Sequence, residues 1–194
     1  RESRESDKEL ISAIIAAFEE EPELKTIELD CEDKSQFLSD VYERDQGMRI
    51  DSSGIDSKID HENLEIIISY IEKCGFPTLE VVTKEEMLTI WLVLQHAPPT
   101  SQKKYISNFE EAAKRNDINW SSVALMKDRA LMYEGKPQIF GSQITEDREN
   151  GGWMIYDLQN PETVDKRRAE IGMEPLSEYV SKWDIKFDIE QKSK

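Results

Sequence analysis

The sequence predicts a mainly α-helical fold, a single helical domain with one late β-hairpin. Three observations lead there. Apolar residues recur at three- and four-residue spacing through most of the chain. Helix start and stop signals bracket those segments. Only two short runs, QIFGSQI and WMIYDL, have β character, and both lie beyond Pro137.

Residues 1–7 are polar and read as a frayed segment. Leu10, Ile11, Ile14, Ile15 and Phe18 then repeat at helical spacing, and Glu21-Pro22 ends that helix. Residues 23–32 form an extended connector. A second helix covers about 34–49 with Phe37, Leu38 and Val41 inward, and 50–59 is a loop by composition. A third starts near Asp60 as N-cap, runs through Leu64, Ile67, Ile68 and Ile71, and closes at Gly75. Thr83 and Glu86 form a capping box for the fourth, MLTIWLVLQH, which is apolar nearly all round and so takes the central buried position. It stops at Ala97-Pro98-Pro99.

Thr100 caps a fifth helix bearing Tyr105, Phe109 and Ala113. NDINW is a turn, and a sixth helix carries Val123, Ala124, Leu125, Ala130 and Leu131 up to Gly135. The hairpin strands fall near 137–144 and 152–158 around the polar loop TEDRENGG. Asn160-Pro161 opens a seventh helix ending at Gly172, and a short helix covers about 175–183. The helical domain thus spans 8–185, with the hairpin at about 137–158, and 186–194 is a polar tail.

Composition narrows the function classes. A chain of 194 residues with 38% hydrophobic residues suits one domain. Its net charge of −16 repels nucleic acid and anionic lipid, so neither is an expected partner. No apolar run approaches the roughly 20 residues that span a bilayer, so no membrane insertion is expected. Cys31 and Cys74 set no framework; one disulfide or two free thiols would satisfy them, with free thiols the expected state. The scattered His and Cys carry no zinc pattern, and no cofactor is implied. The chain begins RESRESDKEL without an initiator Met, as a trimmed chain or one relieved of a secretion signal would, so cytoplasmic and exported locations both stay open.

Polar residues on faces that should be apolar mark the candidate site, because burying such groups costs several kcal/mol unless they are paired. His96 shares a helix face with Leu92 and Val93. The helix C-terminus favours its imidazolium and burial favours the neutral ring, which suits a general acid or base. A histidine capping helix-end carbonyls is the alternative.

Asp45 falls on the buried stripe of its helix with Arg49 four residues on and Gln46 beside it, either as a packing ion pair or facing a pocket. Of the adjacent Asp128 and Arg129, one should reach inward, to the hairpin or to a ligand. Gln138 and Gln143 bracket Phe140 and Gly141, where amides could orient a polar ligand or simply face water; Gly141 invites a bulge or close approach. Asp165 can pair with Arg168, and the Arg167–Arg168 doublet could clamp a carboxylate or phosphate. Gly-rich phosphate loop, Gly-x-Ser-x-Gly elbow, His-Glu-x-x-His helix and EF-hand loop are all missing.

The segments DQGMR at 45–49, CGFP at 74–77, LQHAPPTSQ at 94–102, LMKDRALMYEGKPQIFGSQ at 125–143 and VDKRRAEIGMEPLSEY at 164–179 resemble an uncharacterised bacterial family, domain-of-unknown-function family 6624. Phe140 stands where the family pattern usually has Tyr. The resemblance implies a bacterial origin and a recurring set of Asp45, Gln46, Arg49, His96, Gln102, Asp128, Arg129, Gln138, Gln143, Asp165 and Arg168. It implies no reaction.

Two functions follow as expectations. One is an enzyme, a hydrolase or group-transfer catalyst on a small anionic ligand, with His96 as acid or base, Asp45 or Asp128 orienting it, and an Arg holding the ligand. The other is a non-catalytic binding or immunity-type module whose acidic surface meets a basic protein. The enzyme reading expects His96, Asp45, Asp128 and at least one of Arg129 and Arg168 in one pocket. Oligomeric state is not readable from the sequence.

Overall fold

The computed structural model describes residues 23–50 and 56–192. The expected frayed segment at 1–7, the first expected helix and the middle of the 50–59 loop lie outside the described residues. The described residues divide into two compact units, 23–118 and 119–192. Mainly helical architecture with one late antiparallel hairpin is what the described residues show.

The first unit contains α1 (Lys34–Ile50), α2 (Ser57–Cys74), α3 (Lys84–His96) and α4 (Pro99–Lys114). Thr83 accepts from the Glu86 N–H while the Glu86 carboxylate accepts from the Thr83 N–H, closing the expected capping box of α3. α3 packs against α1, α2 and α4, and Met87, Ile90, Val93 and Leu94 fill the space between them. Around it lie Leu38 and Val41 of α1, Leu64, Ile67 and Tyr70 of α2, and Phe109 and Ala112 of α4, all buried. The expected central helix is therefore the central helix.

Two helix starts differ from expectation. α2 begins earlier, capped by Asp56, whose side chain accepts the Lys58 N–H. Asp60 is thereby left free for an ion pair. α4 begins at Pro99, where the missing N–H costs nothing, and Thr100 makes no capping bond.

The connector at 23–30 is extended, as expected, and is held along α2 by bonds that run from its backbone. The Lys25 N–H donates to Glu65 Oε1 at 2.9 Å and the Ile27 N–H to Ser69 Oγ at 2.9 Å; Lys73 Nζ donates to Leu29 O at 2.7 Å. Glu65 and Ser69 sit on α2 one turn apart, which matches the two-residue step of the extended strand. That register carries Cys31 to the end of α2, where it is disulfide-bonded to Cys74. Free thiols were expected; the two cysteines are instead joined because the side chains of α2 lay the connector alongside it.

The second unit contains α5 (Trp120–Tyr133), β1 (Ile144–Glu146), β2 (Trp153–Ile155), α6 (Val164–Glu170) and α7 (Leu176–Val180). β1 and β2 pair antiparallel, with Thr145 opposite Met154. The turn between them is closed by Asp147, whose carboxylate accepts the N–H groups of Glu149 and Asn150, and by Gly151 and Gly152 at positive φ. Val164, Leu176 and Val180 form a buried cluster, against which Ile144, Ile155, Leu158, Ile185 and Phe187 pack.

The strands are shorter than expected. Residues 137–143 are not a strand, because side chains take the bonds that a ladder partner would supply. The Gln138 amide donates to Gln143 O and Tyr156 O, and Gln138 Oε1 accepts the Gln143 N–H. Its backbone meets the far arm of the hairpin at an isolated bridge, Gln138 to Leu158, and through the Tyr156 N–H, which donates to Gln143 O at 3.1 Å, without forming a ladder.

Candidate functional site

The candidate residues divide between the two units, and each set is described within its own.

In the first unit Asp45, on α1, is 1% exposed. Its carboxylate accepts from Arg49 Nη2 at 3.1 Å, Arg49 Nε at 3.2 Å and Gln46 Nε2 at 2.7 Å. Residues 45 and 49 are one helical turn apart, so the pair is a direct product of the helix. Arg49 Nη2 also reaches Asp60 Oδ1 of α2 at 2.6 Å. His96, the last residue of α3, brings Nδ1 to 3.8 Å from Asp45 Oδ1, an ion-pair distance rather than a hydrogen bond.

Burial pushes the Asp45 carboxyl up, but the His96 ring, the Arg49 guanidinium and the Gln46 amide outweigh it and hold the group at about 2. Asp60 shares that guanidinium with Asp45, and burial raises its pKa from the ordinary value of a free aspartate. The result is a row of polar side chains, Asp60–Arg49–Asp45–His96, built from three helices.

Gln102, fully buried on α4, completes the surroundings of His96. Its Nε2 donates to the carbonyls of Gln95 and Ala97, the residues on either side of the histidine, at 3.1 and 2.8 Å. Gln102 Oε1, Thr100 Oγ1 and His96 Nδ1 are buried without a hydrogen-bond partner among the described residues.

Asn63 of α2 is in the same position at both ends of its side-chain amide, with 0% exposure. Sequence reasoning missed Asp60, which read as an N-cap, and Asn63. The signal was present: Asn63 interrupts the apolar face of Leu64, Ile67 and Ile71 as Asp45 interrupts that of α1. An open groove lined by Phe37, Asp40, Glu43, Arg44 and Ile66 contains none of these candidate residues.

In the second unit Asp128 of α5 is fully buried. It accepts the backbone N–H groups of Ile139 (2.8 Å), Phe140 (3.0 Å) and Ser142 (3.0 Å) and the Ser142 hydroxyl (2.9 Å). One carboxylate thus replaces regular secondary structure for the 139–142 loop. Arg129 Nε donates to Gln143 Oε1 at 3.3 Å, and Gln143 Nε2 donates to Leu125 O and Ser142 Oγ. Gly141, at φ +72°, lets Leu176 approach so closely that a Cβ would lie 2.8 Å from Leu176 Cδ1, the close approach expected there.

Arg168 is fully buried. Its Nε donates to Glu174 O and its Nη1 to Phe140 O, both at 2.6 Å, and the guanidinium lies 4.9 Å from the Tyr179 ring centroid. The expected Asp165–Arg168 pair is not made. Asp165 Oδ1 instead accepts the Leu176 N–H at 2.8 Å, capping α7, and leaves Arg168 to the carbonyls. Arg167 donates to Ile139 O, Asn160 O, Gln159 O and Thr163 Oγ1. Burial lowers the pKa of both guanidinium groups.

The two sets differ in kind. The Asp128 set is spent mostly on backbone groups, and among its described residues only Arg168 Nη2 is buried without a partner. The His96 set keeps unpartnered polar atoms on several side chains.

A family model described as "Family of unknown function (DUF6624)" matches residues 43–192. The chain belongs to that family. The match covers both sets of residues. No curated protein and no solved structure matches the chain. Among the described residues, no helix is long and apolar enough to cross a membrane, and no group of three or more His, Cys, Asp and Glu side chains could hold a metal ion.

Proposed function

We propose that the first unit carries an acid–base site in which His96 transfers the proton and Asp45 positions it, on a small polar ligand, in a hydrolysis or group transfer. The observation that carries this reading is the approach of His96 Nδ1 to a buried carboxylate whose own orientation is fixed by Arg49 and Gln46. A carboxylate beside one ring nitrogen supports the charge of the imidazole, leaving the other nitrogen for a ligand. Gln102 adds rigidity by tying the carbonyls around His96.

Arg129, Arg167 and Arg168 were the expected anion holders. Arg167 and Arg168 donate to carbonyls, and Arg129 donates to Gln143. In the His96 set, Arg49 is shared by two carboxylates. These assignments favour an uncharged ligand over an anionic one.

A turnover screen against chromogenic esters, amides and phosphoesters, run on the wild-type chain, His96→Gln and Asp45→Asn, tests the reading. Turnover of one class, abolished by His96→Gln and reduced by Asp45→Asn with melting behaviour preserved, supports it. Turnover that survives His96→Gln overturns it.

The binding-module alternative draws support from the second unit, whose polar side chains are used to shape a loop, and from the net charge of −16. Specific, salt-sensitive capture of a basic protein by a chain without turnover would favour it.

A further inference from the structure

We propose that Asn63 is a recognition residue of the His96 site and that it takes an uncharged ligand group carrying both a hydrogen-bond donor and an acceptor, as a carboxamide does. The inference rests on the acid–base reading and names the ligand class for that site.

The first ground is the state of Asn63 itself. It is 0% exposed, and neither Nδ2 nor Oδ1 has a hydrogen-bond partner among the described residues. A buried amide left unpaired carries the full desolvation penalty of both ends, whereas an apolar side chain of similar shape carries none. Folding alone therefore selects against Asn at this position. Loss of stability at a residue that packing does not require is the mark of a functional group.

The second ground is position. Asn63 lies three residues after Asp60 on α2, which places the two side chains on the same face, one turn apart. Asp60 holds Arg49, Arg49 holds Asp45, and Asp45 faces His96. Asn63 therefore extends the row of polar side chains by one turn of α2.

The third ground is chemistry. An amide offers one acceptor and two donors in a plane, and its natural complement is another amide or a group of like pattern. Gln102 Oε1, buried beside the His96 backbone, adds a second unpartnered acceptor. The single guanidinium of the row is opposed by two carboxylates, so Arg49 is not left over to hold an anion.

The test uses acetamide as donor–acceptor probe and acetate as its anionic counterpart, with the intact chain, read by NMR of the Asn63 side-chain amide and the His96 ring. Acetamide is expected to shift both sets of resonances, and acetate to shift them far less. The His96 shifts should vanish in Asn63→Leu. That variant should also melt at the same temperature as wild type or higher. Three results would each overturn the proposal: no response of the Asn63 amide up to the solubility limit of acetamide, an equal response to acetate, or Asn63→Leu melting well below wild type. The probe measurements on the wild-type chain can refute the proposal without any variant. Turnover enters none of these readouts, so Asn63 can fail while the His96–Asp45 reading survives, and the reverse.

Discussion

Replacing Asp128 by Ala is the sharpest test of how the second unit is held together. The carboxylate receives three backbone N–H groups and one hydroxyl. Bonds to a charged acceptor contribute about 1.5–3 kcal/mol each, and four simply added would rival the whole stability of a domain. That sum overcounts, because donors able to reach water recover most of the loss.

Ile139 and Phe140 are only partly buried, whereas Ser142 is 5% exposed. The cost therefore falls mainly on the Ser142 N–H and hydroxyl, at about 1–3 kcal/mol each, or about 4 kcal/mol together. For a chain of this size that lowers the melting temperature by roughly 8–16 °C. Circular dichroism melts and urea titrations followed by tryptophan fluorescence measure it. Ser142→Ala is the internal control: it removes one donor to Asp128 and one acceptor from Gln143 Nε2, which keeps its bond to Leu125 O, and should cost only about 1–2 kcal/mol. A loss under about 1 kcal/mol in Asp128→Ala would refute the account, since the loop would then have another anchor.

Three further outcomes are expected. The depressed Asp45 group binds its proton less readily folded than unfolded, so its contribution is complete above about pH 5 and disappears as pH falls through about 3.8 and then about 2, a loss of about 2 kcal/mol; urea midpoints against pH should show this acid limb in wild type and a weaker one in Asp45→Asn. Cys74→Ser, or reduction, opens a loop with a sequence separation of 43 and should cost about 4 kcal/mol by chain entropy; a melting temperature unchanged by dithiothreitol would contradict it. Gly141→Ala should cost about 1–3 kcal/mol, from its positive φ and the overlap with Leu176, and adding Leu176→Ala should fail to restore wild-type stability in a urea titration because the backbone strain remains.

Helices were legible because their signals are local. The Thr83–Glu86 box, Gly75 and the apolar face of α3 each depend on neighbours within one or two turns. The 137–143 stretch was misread as strand because its alternation was real but its partners were side chains: Asp128 and Gln138 are recognisable as ladder substitutes only once the loop is folded onto α5. The disulfide was missed for a related reason. Nothing local to Cys31 announces that Glu65 and Ser69 will lay the connector along α2. Within the site, Asp45, Arg49 and His96 were found by their inward spacing. Asp165 and Arg168 were found as residues but paired wrongly, since helical spacing cannot show that nearby carbonyls and an N–H compete for both groups.

The bond between Cys31 and Cys74 also encloses Asp45, Gln46, Arg49, Asp60 and Asn63 in one covalent ring. When α1 or α2 frays, the ends of that ring stay together, and the enclosed groups return from a restricted set of conformations. Much of the entropy of assembling them against His96 is then settled when the sulfurs join, leaving less to lose when a ligand arrives. Oxidised and reduced chains of one sequence should therefore differ in affinity at the site, even though neither sulfur touches what binds there.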